Sequence, residues 1–310
     1  MSKNLIIDVD TGIDDAFALL FAALSPDVNL LGVTCVDGNT DIEQVVKNTL
    51  FVLNAVSAEN IPVAAGARTS LMGFSTGGAP EVHGRDGLGG FCSDSVKTKP
   101  SEQQAVELMR ELVEQSPQPV SLVAVGPLTN VAMFVTLFPD SAAKLEQIAV
   151  MGGSTRGGNA TASAEFNIWH DPEAAHIVFS SGIPLTMYGL DVFYDLKMDT
   201  CDLTALYRCG KPAAKLAADL MNFLVGTLGS EASLGDYGAL ASLIYPELSE
   251  SSKMHVSIDT SHGISRGTTV CDMRSELPLT GHTRQGHACN VILKTDVRKM
   301  VEEFVRVLGG

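Results

Sequence analysis

The stretch that decides the fold is Asp8-Val9-Asp10-Thr11-Gly12-Ile13-Asp14-Asp15. The apolar run Leu5-Ile6-Ile7 leads into it and reads as a buried strand. Thr11-Gly12 supplies a turn, and apolar residues at helical spacing follow to about residue 24. The chain therefore opens on a strand, a tight turn and a helix. Asp14 and Asp15 fall in the first helical turn, where the dipole favours an anion by only about 0.3–1 kcal/mol per site. That is too little to offset the repulsion of four carboxylates gathered at a strand end. A hard cation with oxygen ligands would offset it, which points to Ca²⁺ or Mg²⁺. Asp8 and Asp10 share a face if both lie on the strand. The bland alternative is an acidic surface turn with a helix cap, and Asp8 itself reads as a support for Asp10.

Outward from this unit the alternation continues. Short runs rich in Val, Ile and Leu predict strands at 5–8, 30–36, 62–65, 120–125, 148–151, 185–188, 255–258 and 290–294. Helical patterns occupy 14–24, 42–56, 101–115, 129–138 and 171–180. This predicts an α/β fold with a doubly wound, mostly parallel sheet. Residues at about 195–250 read as mostly helical, with helices at 213–228 and 237–244, and form an added helical layer rather than a second domain. With no long linker or repeat, 1–310 is expected to be a single domain. In such folds ligands sit at the carboxyl ends of the strands, so the loops after strands carry the chemistry.

Composition narrows the function classes. The 310 residues are 45% hydrophobic and 18% charged, which excludes a disordered chain. No apolar run reaches the roughly 18 residues of a membrane span. The formal charge of −15, from 21 basic and 36 acidic residues, argues against nucleic acid or an anionic membrane surface as partner. Nothing at the start resembles a secretory signal, and the six cysteines are scattered with no Cys-x-x-Cys pair. A cytoplasmic protein with free thiols is the expectation.

Asp-x-Asp at a first strand end also opens the haloacid-dehalogenase-like phosphatases. Those expect Thr or Val two residues after the second Asp, where this chain has Gly12, and they do not require Asp14-Asp15. Asp-x-Asp-x-Gly-x-Asp-Asp-Ala, from Asp8 to Ala16, instead resembles the nucleoside hydrolase family, the inosine–uridine-preferring N-ribohydrolases. The likeness runs along nearly the whole chain: Val36-Asp37-Gly38-Asn39, then Val82-His83-Gly84-Arg85-Asp86-Gly87-Leu88, then Val125-Gly126-Pro127-Leu128-Thr129-Asn130. Met151-Gly152-Gly153, Gly158-Asn159 and Ala164-Glu165-Phe166-Asn167 follow in the family's order.

The resemblance implies hydrolysis of the N-glycosidic bond of a small-molecule ribonucleoside to free base and ribose. By the same resemblance one Ca²⁺ would be held by Asp10, Asp15, the Val125 carbonyl and Asp236. Asp10 would also be general base on the attacking water, whose pKa the cation lowers. Asp14 would bind the 2′-hydroxyl, and Asn39 would hold water and ribose in register. Asn159, Glu165 and Asn167 would grip the 5′- and 3′-hydroxyls. His83, in the Gly-rich loop 73–90, would act on the base side. The expected transition state is oxocarbenium-like, with surrounding carboxylates stabilising its charge. A homo-oligomer, dimer or tetramer, is expected.

Other polar residues read as structural. Asp171 is a helix N-cap before Pro172. His170 and His176 flank or lie on that helix, and His255, His262, His282 and His287 belong to no motif.

One departure stands out. Members of the resembled inosine–uridine group carry His just before the last metal-binding Asp, a candidate proton donor to the leaving base. This chain has Gly235 there, in Ser233-Leu234-Gly235-Asp236-Tyr237. It also lacks the Tyr and Gln that those members present to pyrimidines; Phe223, Ser230 and Glu231 stand nearby. Two consequences are expected. The chain is either a hydrolase dependent on good leaving groups or a weakly active ribosyl-binding protein, though Asp10 argues against pure binding. A His placed at 235 would raise the rate on natural nucleosides, given room for its ring.

Overall fold

A nine-stranded sheet runs through the described residues in the order β3-β2-β1-β4-β5-β6-β9-β7-β8. The strands are β1 (Lys3–Val9), β2 (Val28–Cys35), β3 (Val63–Ala65), β4 (Val120–Ala124), β5 (Leu145–Met151), β6 (Leu185–Tyr188), β7 (Ser249–Ile258), β8 (Thr269–Asp272) and β9 (His287–Thr295). The computed structural model describes residues 2–309 except Thr76, Asp94, Ser95, Lys97, Ser230, Glu231 and 275–284. Gly281 and His282, as well as Ser230 and Glu231, thus lie outside the described residues. Strands β1 to β6 and β9 run parallel. At one edge β7 pairs antiparallel with both β9 and β8.

Strand β1 shows why the sheet is buried on both faces. Leu5, Ile7 and Val9 belong to one apolar cluster, with the helices Ile13–Leu24, Ile42–Asn54, Pro212–Leu228, Tyr237–Ile244 and Val297–Gly309. Ile6 points into the other, with the helices Ala105–Gln115, Thr129–Leu137 and Pro172–Phe179. The two-residue period of a strand sends alternate side chains to opposite layers. The added helices packed on the first face include Thr200–Cys209, which buries only Asp202 and Leu206.

One packing unit places the site. Phe21 of Ile13–Leu24 lies 4.7 Å from the ring of Tyr237, which lies 4.9 Å from Phe304. The Tyr237 hydroxyl donates to the Met300 carbonyl at 2.9 Å. These buried aromatics lock three helices together. They bring the N-terminal ends of Ile13–Leu24 and Tyr237–Ile244, and with them Asp14, Asp15 and Asp236, to one place.

The structure revises some expected boundaries. Strand β1 ends at Val9, so Asp10 lies beyond it and does not share a face with Asp8. The helix expected at 101–115 starts at Ala105, and the one at 129–138 stops before Pro139, which starts a separate short turn. Strand β8 and the helix Val297–Gly309 are additions to the expected elements.

Candidate active site

A cavity of about 790 Å³ opens at the carboxyl ends of the parallel strands, and its lining divides by chemistry. One part is polar: Asp10, Asp14, Asn39, Glu165, Asn167 and Asp236. The other is apolar and aromatic: Val82, Phe166, Trp169, Phe193, Tyr194, Leu224 and Leu228. No Lys or Arg lines it among the described residues.

In the polar part, Asp10 and Asp14 follow β1, Asn39 follows β2, Glu165 and Asn167 come from the segment after β5, and Asp236 stands at the start of the helix Tyr237–Ile244. Asp15 is the third residue of its helix, and its Oδ2 accepts the Gly12 N–H at 2.8 Å, closing the helix start. Its Oδ1 accepts the Asp10 N–H at 3.2 Å. Asp10 Oδ2 accepts the Asn39 N–H at 2.9 Å, and the Asn39 amide donates to Asp15 at 3.3 Å. Asp10 fits because its neighbours are glycines. A Cβ on Gly38 would overlap Asp10 Oδ2, and one on Gly126 would stand 2.8 Å from Oδ1. Asp14, Asp15 and Asp236 each bring one carboxylate oxygen within 4.8 Å of the others. Asp10 borders the same cavity but lies outside that trio.

Burial first, and then neighbouring carboxylates, push the Asp15 pKa up to about 8 and those of Asp10 and Asp236 well above the usual range. Gathered this closely, these acids repel one another unless a cation balances them. The donor set is all hard oxygen and anionic, so it fits a divalent cation such as Ca²⁺.

Asn167 sits under the site. Its amide nitrogen donates to the Val125 carbonyl at 2.8 Å and the Met151 carbonyl at 3.1 Å. Both oxygens of Glu165 accept backbone N–H groups, from Asn167 at 2.9 Å, Gly153 at 3.0 Å and Ile168 at 3.1 Å. Burial still raises its pKa to about 7. Asn159 is exposed at the rim; its Oδ1 accepts the Phe166 N–H at 2.9 Å.

His83 ends the short helix Pro80–His83 and is buried. Its Nδ1 accepts the Ile13 N–H at 3.2 Å and stands 3.8 Å from Asp14 Oδ1. Burial lowers its pKa, so the ring is neutral at pH 7. The Ile13 hydrogen bond assigns the proton to Nε2.

Asp8 stands apart. It is fully buried, accepting from the Thr34 hydroxyl at 2.6 Å and the Asn130 amide at 2.8 Å. It supports β1 and β2 and does not line the cavity. Asp171 caps its helix through the Ala174 N–H at 3.0 Å, and its Oδ2 also accepts the Leu71 N–H at 2.7 Å. His170 packs on Phe166, with ring centroids 5.9 Å apart.

Sequence motifs led to the carboxylates. They did not lead to Trp169, Phe193, Tyr194, Leu224 and Leu228. The usable signal was positional: Phe193-Tyr194 closes the short helix Leu190–Phe193 that follows β6, at the strand-exit end where ligands are expected.

The model of the family described as inosine-uridine preferring nucleoside hydrolase matches residues 5–302. The chain belongs to the nucleoside hydrolase family. It is 40% identical over 280 residues to the pyrimidine-specific ribonucleoside hydrolase RihA of Shewanella sp. strain MR-7, covering 88% of this chain and 87% of the relative. It is 39% identical over 288 residues to the protein of the same name from Enterobacter sp. strain 638, covering 91% of each. Among solved structures, the plant nucleoside hydrolase PpNRh1 superposes with a TM-score of 0.93 at 29% identity, covering 100% of both chains. The purine-preferring ribonucleoside hydrolase from Gardnerella vaginalis superposes with a TM-score of 0.90, also at 29% identity, covering 99% of this chain and 98% of the other. These nucleoside hydrolases share the α/β architecture, and the phosphatase reading falls away.

Proposed function

We propose that this nucleoside hydrolase cleaves the N-glycosidic bond of ribonucleosides in this cavity, with Asp10 as general base. The single observation that carries the assignment is the divided lining. A ribonucleoside has a hydroxyl-rich sugar and a flat aromatic base, and the cavity has a polar carboxylate part beside an aromatic part. The sugar belongs against Asp14, Asn39, Glu165 and Asn167, with Asn159 at the rim. Asp10, held by the Asn39 N–H, is placed to accept a proton from a water beneath the sugar. The surrounding carboxylates favour positive charge developing on the ribosyl ring.

Asp10, Asp15, the Val125 carbonyl and Asp236 would hold a Ca²⁺ ion, with Asp14 beside them. Bound there, the ion would supply positive charge that eases deprotonation of water and would offer coordination to sugar hydroxyls. Asn167 keeps the Val125 carbonyl aimed by donating to it. His83 offers a neutral Nε2–H as a hydrogen-bond donor on the base side.

The pyrimidine-specific names of the relatives near 40% identity support a pyrimidine ribonucleoside as substrate. The acidic charge and free cysteines support a cytoplasmic protein acting on a small molecule, with no nucleic acid or membrane partner. Among the described residues no helix is long and apolar enough to cross a membrane. A homo-oligomer, dimer or tetramer, and one domain across 1–310 complete the proposal.

The test is a panel of pyrimidine and purine ribonucleosides assayed for base release, with and without chelator and added Ca²⁺. Release of free base and ribose, abolished by chelation and restored by Ca²⁺, is expected. Binding of ribosides with no base release under any condition would leave a ribosyl-binding protein instead.

A further inference from the structure

Gly235 and Phe193 occupy one space. Gly235 adopts φ +46°, and a Cβ there would lie 2.6 Å from Phe193 Cζ, 2.7 Å from its Cε2 and 3.0 Å from the Asp14 Cβ. No real Cβ makes such contacts with a ring, and that backbone conformation is already costly for a residue other than glycine. The approach is held from both sides. The Leu234 N–H donates to the Leu196 carbonyl at 2.8 Å, stitching the Gly235 loop to the loop after β6. The Phe193 N–H donates to the Gly189 carbonyl at 3.2 Å, and its ring packs edge-on against Tyr194, centroids 5.1 Å apart. The Phe193 backbone is thereby fixed beside Gly235.

The position matters as much as the packing. Phe193 lines the cavity and approaches Asp14, a member of the carboxylate group. It also continues the aromatic part through Tyr194. It thus stands at the seam between the part that suits a sugar and the part that suits a base. A bond joining a sugar to a base must cross that seam. At this point the chain presents a carbon ring with no transferable proton, and the same ring excludes any side chain from position 235.

Resting on the nucleoside hydrolase reading, we infer that Phe193 is a specificity-determining residue paired with Gly235: it holds the leaving group by ring contact and selects ribosides whose leaving group departs without a proton from this side. The ring contributes affinity for the aromatic leaving group and none for the sugar. The ribosides that suit it best have a flat leaving group that delocalises the negative charge it carries away.

A four-protein cycle tests this: wild type, Phe193→Ala, Gly235→Ala and the double variant. Melting temperature reads the packing. Gly235→Ala is expected to lose roughly 5 °C or more in the wild-type background, and clearly less once Phe193 is gone, when the backbone strain and the 3.0 Å approach to the Asp14 Cβ remain. Equal losses in both backgrounds would overturn the pairing. Ligand competition reads the specificity. Phe193→Ala should raise KM for a nucleoside about 3- to 10-fold, the usual worth of an aromatic contact, while inhibition by free ribose stays unchanged. Parallel weakening of ribose and nucleoside would mean that Phe193 only props the fold, and would overturn the inference. If wild type releases base from no riboside, the functional reading itself fails. The melting cycle and calorimetric binding of ribose and nucleoside then still decide the pairing and the contact.

Discussion

The two parts of the cavity are built in different ways. In the carboxylate part, each side chain is fixed by backbone groups: Asp10 by the Asn39 N–H, Asp15 by the Gly12 and Asp10 N–H groups, Glu165 by three N–H donors. In the aromatic part, position comes from packing, with Phe193 on Tyr194 and Phe166 6.2 Å from Trp169. Hydrogen-bonded carboxylates can hold a cation and a sugar in a single geometry. A packed wall tolerates changes of shape at modest cost. Substitutions in the first part should therefore damage chemistry, and those in the second should shift preference.

The largest effect is expected at Asp10. Asp10→Asn keeps an acceptor for the Asn39 N–H, so the fold should be retained with a near-normal circular dichroism spectrum and melting temperature. It removes the proton acceptor and one anionic charge, so kcat should fall by several powers of ten. A rate within tenfold of wild type would mean that the polar part does not supply the base.

Next comes the leaving group. Proton donation to a leaving group is worth about 10²–10⁴ in rate. With Gly235 beside Phe193, that help is missing from this side of the seam. A nitrophenyl riboside, whose leaving group needs no proton, should be cleaved about 10²-fold or more faster than inosine. Gly235→His does not remedy this. Its Cβ has no space against the Phe193 ring, so the variant should lose melting temperature and natural-nucleoside activity together. The room for the ring on which a gain from His at 235 depends is taken by Phe193. Equal rates on inosine and the nitrophenyl riboside would place an effective proton donor elsewhere, with His83 Nε2 the first group to test by His83→Ala.

How legible all this was depended on whether a feature is local in the chain. Strands β1, β2 and β4 to β6 are short apolar runs because both faces are covered, and such runs read directly. Strand β8, Thr-Val-Cys-Asp, is a half-exposed edge with no alternation to detect. The helix Thr200–Cys209 buries only Asp202 and Leu206, so its apolar stripe is faint. The carboxylate part was legible because three of its acids, Asp10, Asp14 and Asp15, fall within six residues at a strand–helix turn. The aromatic part is assembled from Val82, Phe166, Trp169, Phe193, Tyr194, Leu224 and Leu228, drawn from four distant segments. No spacing rule joins them. The meaning of Gly235 was half legible: its identity marks a missing donor, but only the fold shows that Phe193 fills the gap.

The carboxylate part can be sharpened through pH. Asp15 and Glu165 have pKa values raised to about 8 and about 7, chiefly by burial. The unfolded chain releases these protons near pH 4, while the folded chain without cation keeps them until pH 7–8. The folded state then binds more protons across that window, so its stability falls as pH rises through it. A divalent cation favours the ionised form and should reverse the trend. Calcium should therefore raise the melting temperature by several degrees at pH 8 and much less at pH 5. Thermal scans across that range, with Ca²⁺ or with chelator, give the answer. A Ca²⁺ shift that is equal at both pH values would mean that the buried acids are not its ligands.

The smallest effect is expected at the rim, where the two parts meet solvent. Asn159 is exposed; it accepts the Phe166 N–H at 2.9 Å, and its amide reaches the Tyr194 hydroxyl at 3.5 Å, the edge of hydrogen-bonding range. Asn167, in contrast, is buried and donates to two carbonyls. Removing Asn167 strands two buried acceptors, while removing Asn159 leaves groups that water can satisfy. Asn159→Ala should therefore raise KM about 3- to 10-fold, the worth of one net hydrogen bond, with kcat and melting temperature little changed. Asn167→Ala should lower both kcat and melting temperature, because the Val125 carbonyl loses its support. Steady-state kinetics on one nucleoside with both variants makes the comparison. If Asn159→Ala lowers kcat as much as Asn167→Ala does, the rim takes part in the transition state, and the division between a rigid chemical part and an adaptable outer one does not hold there.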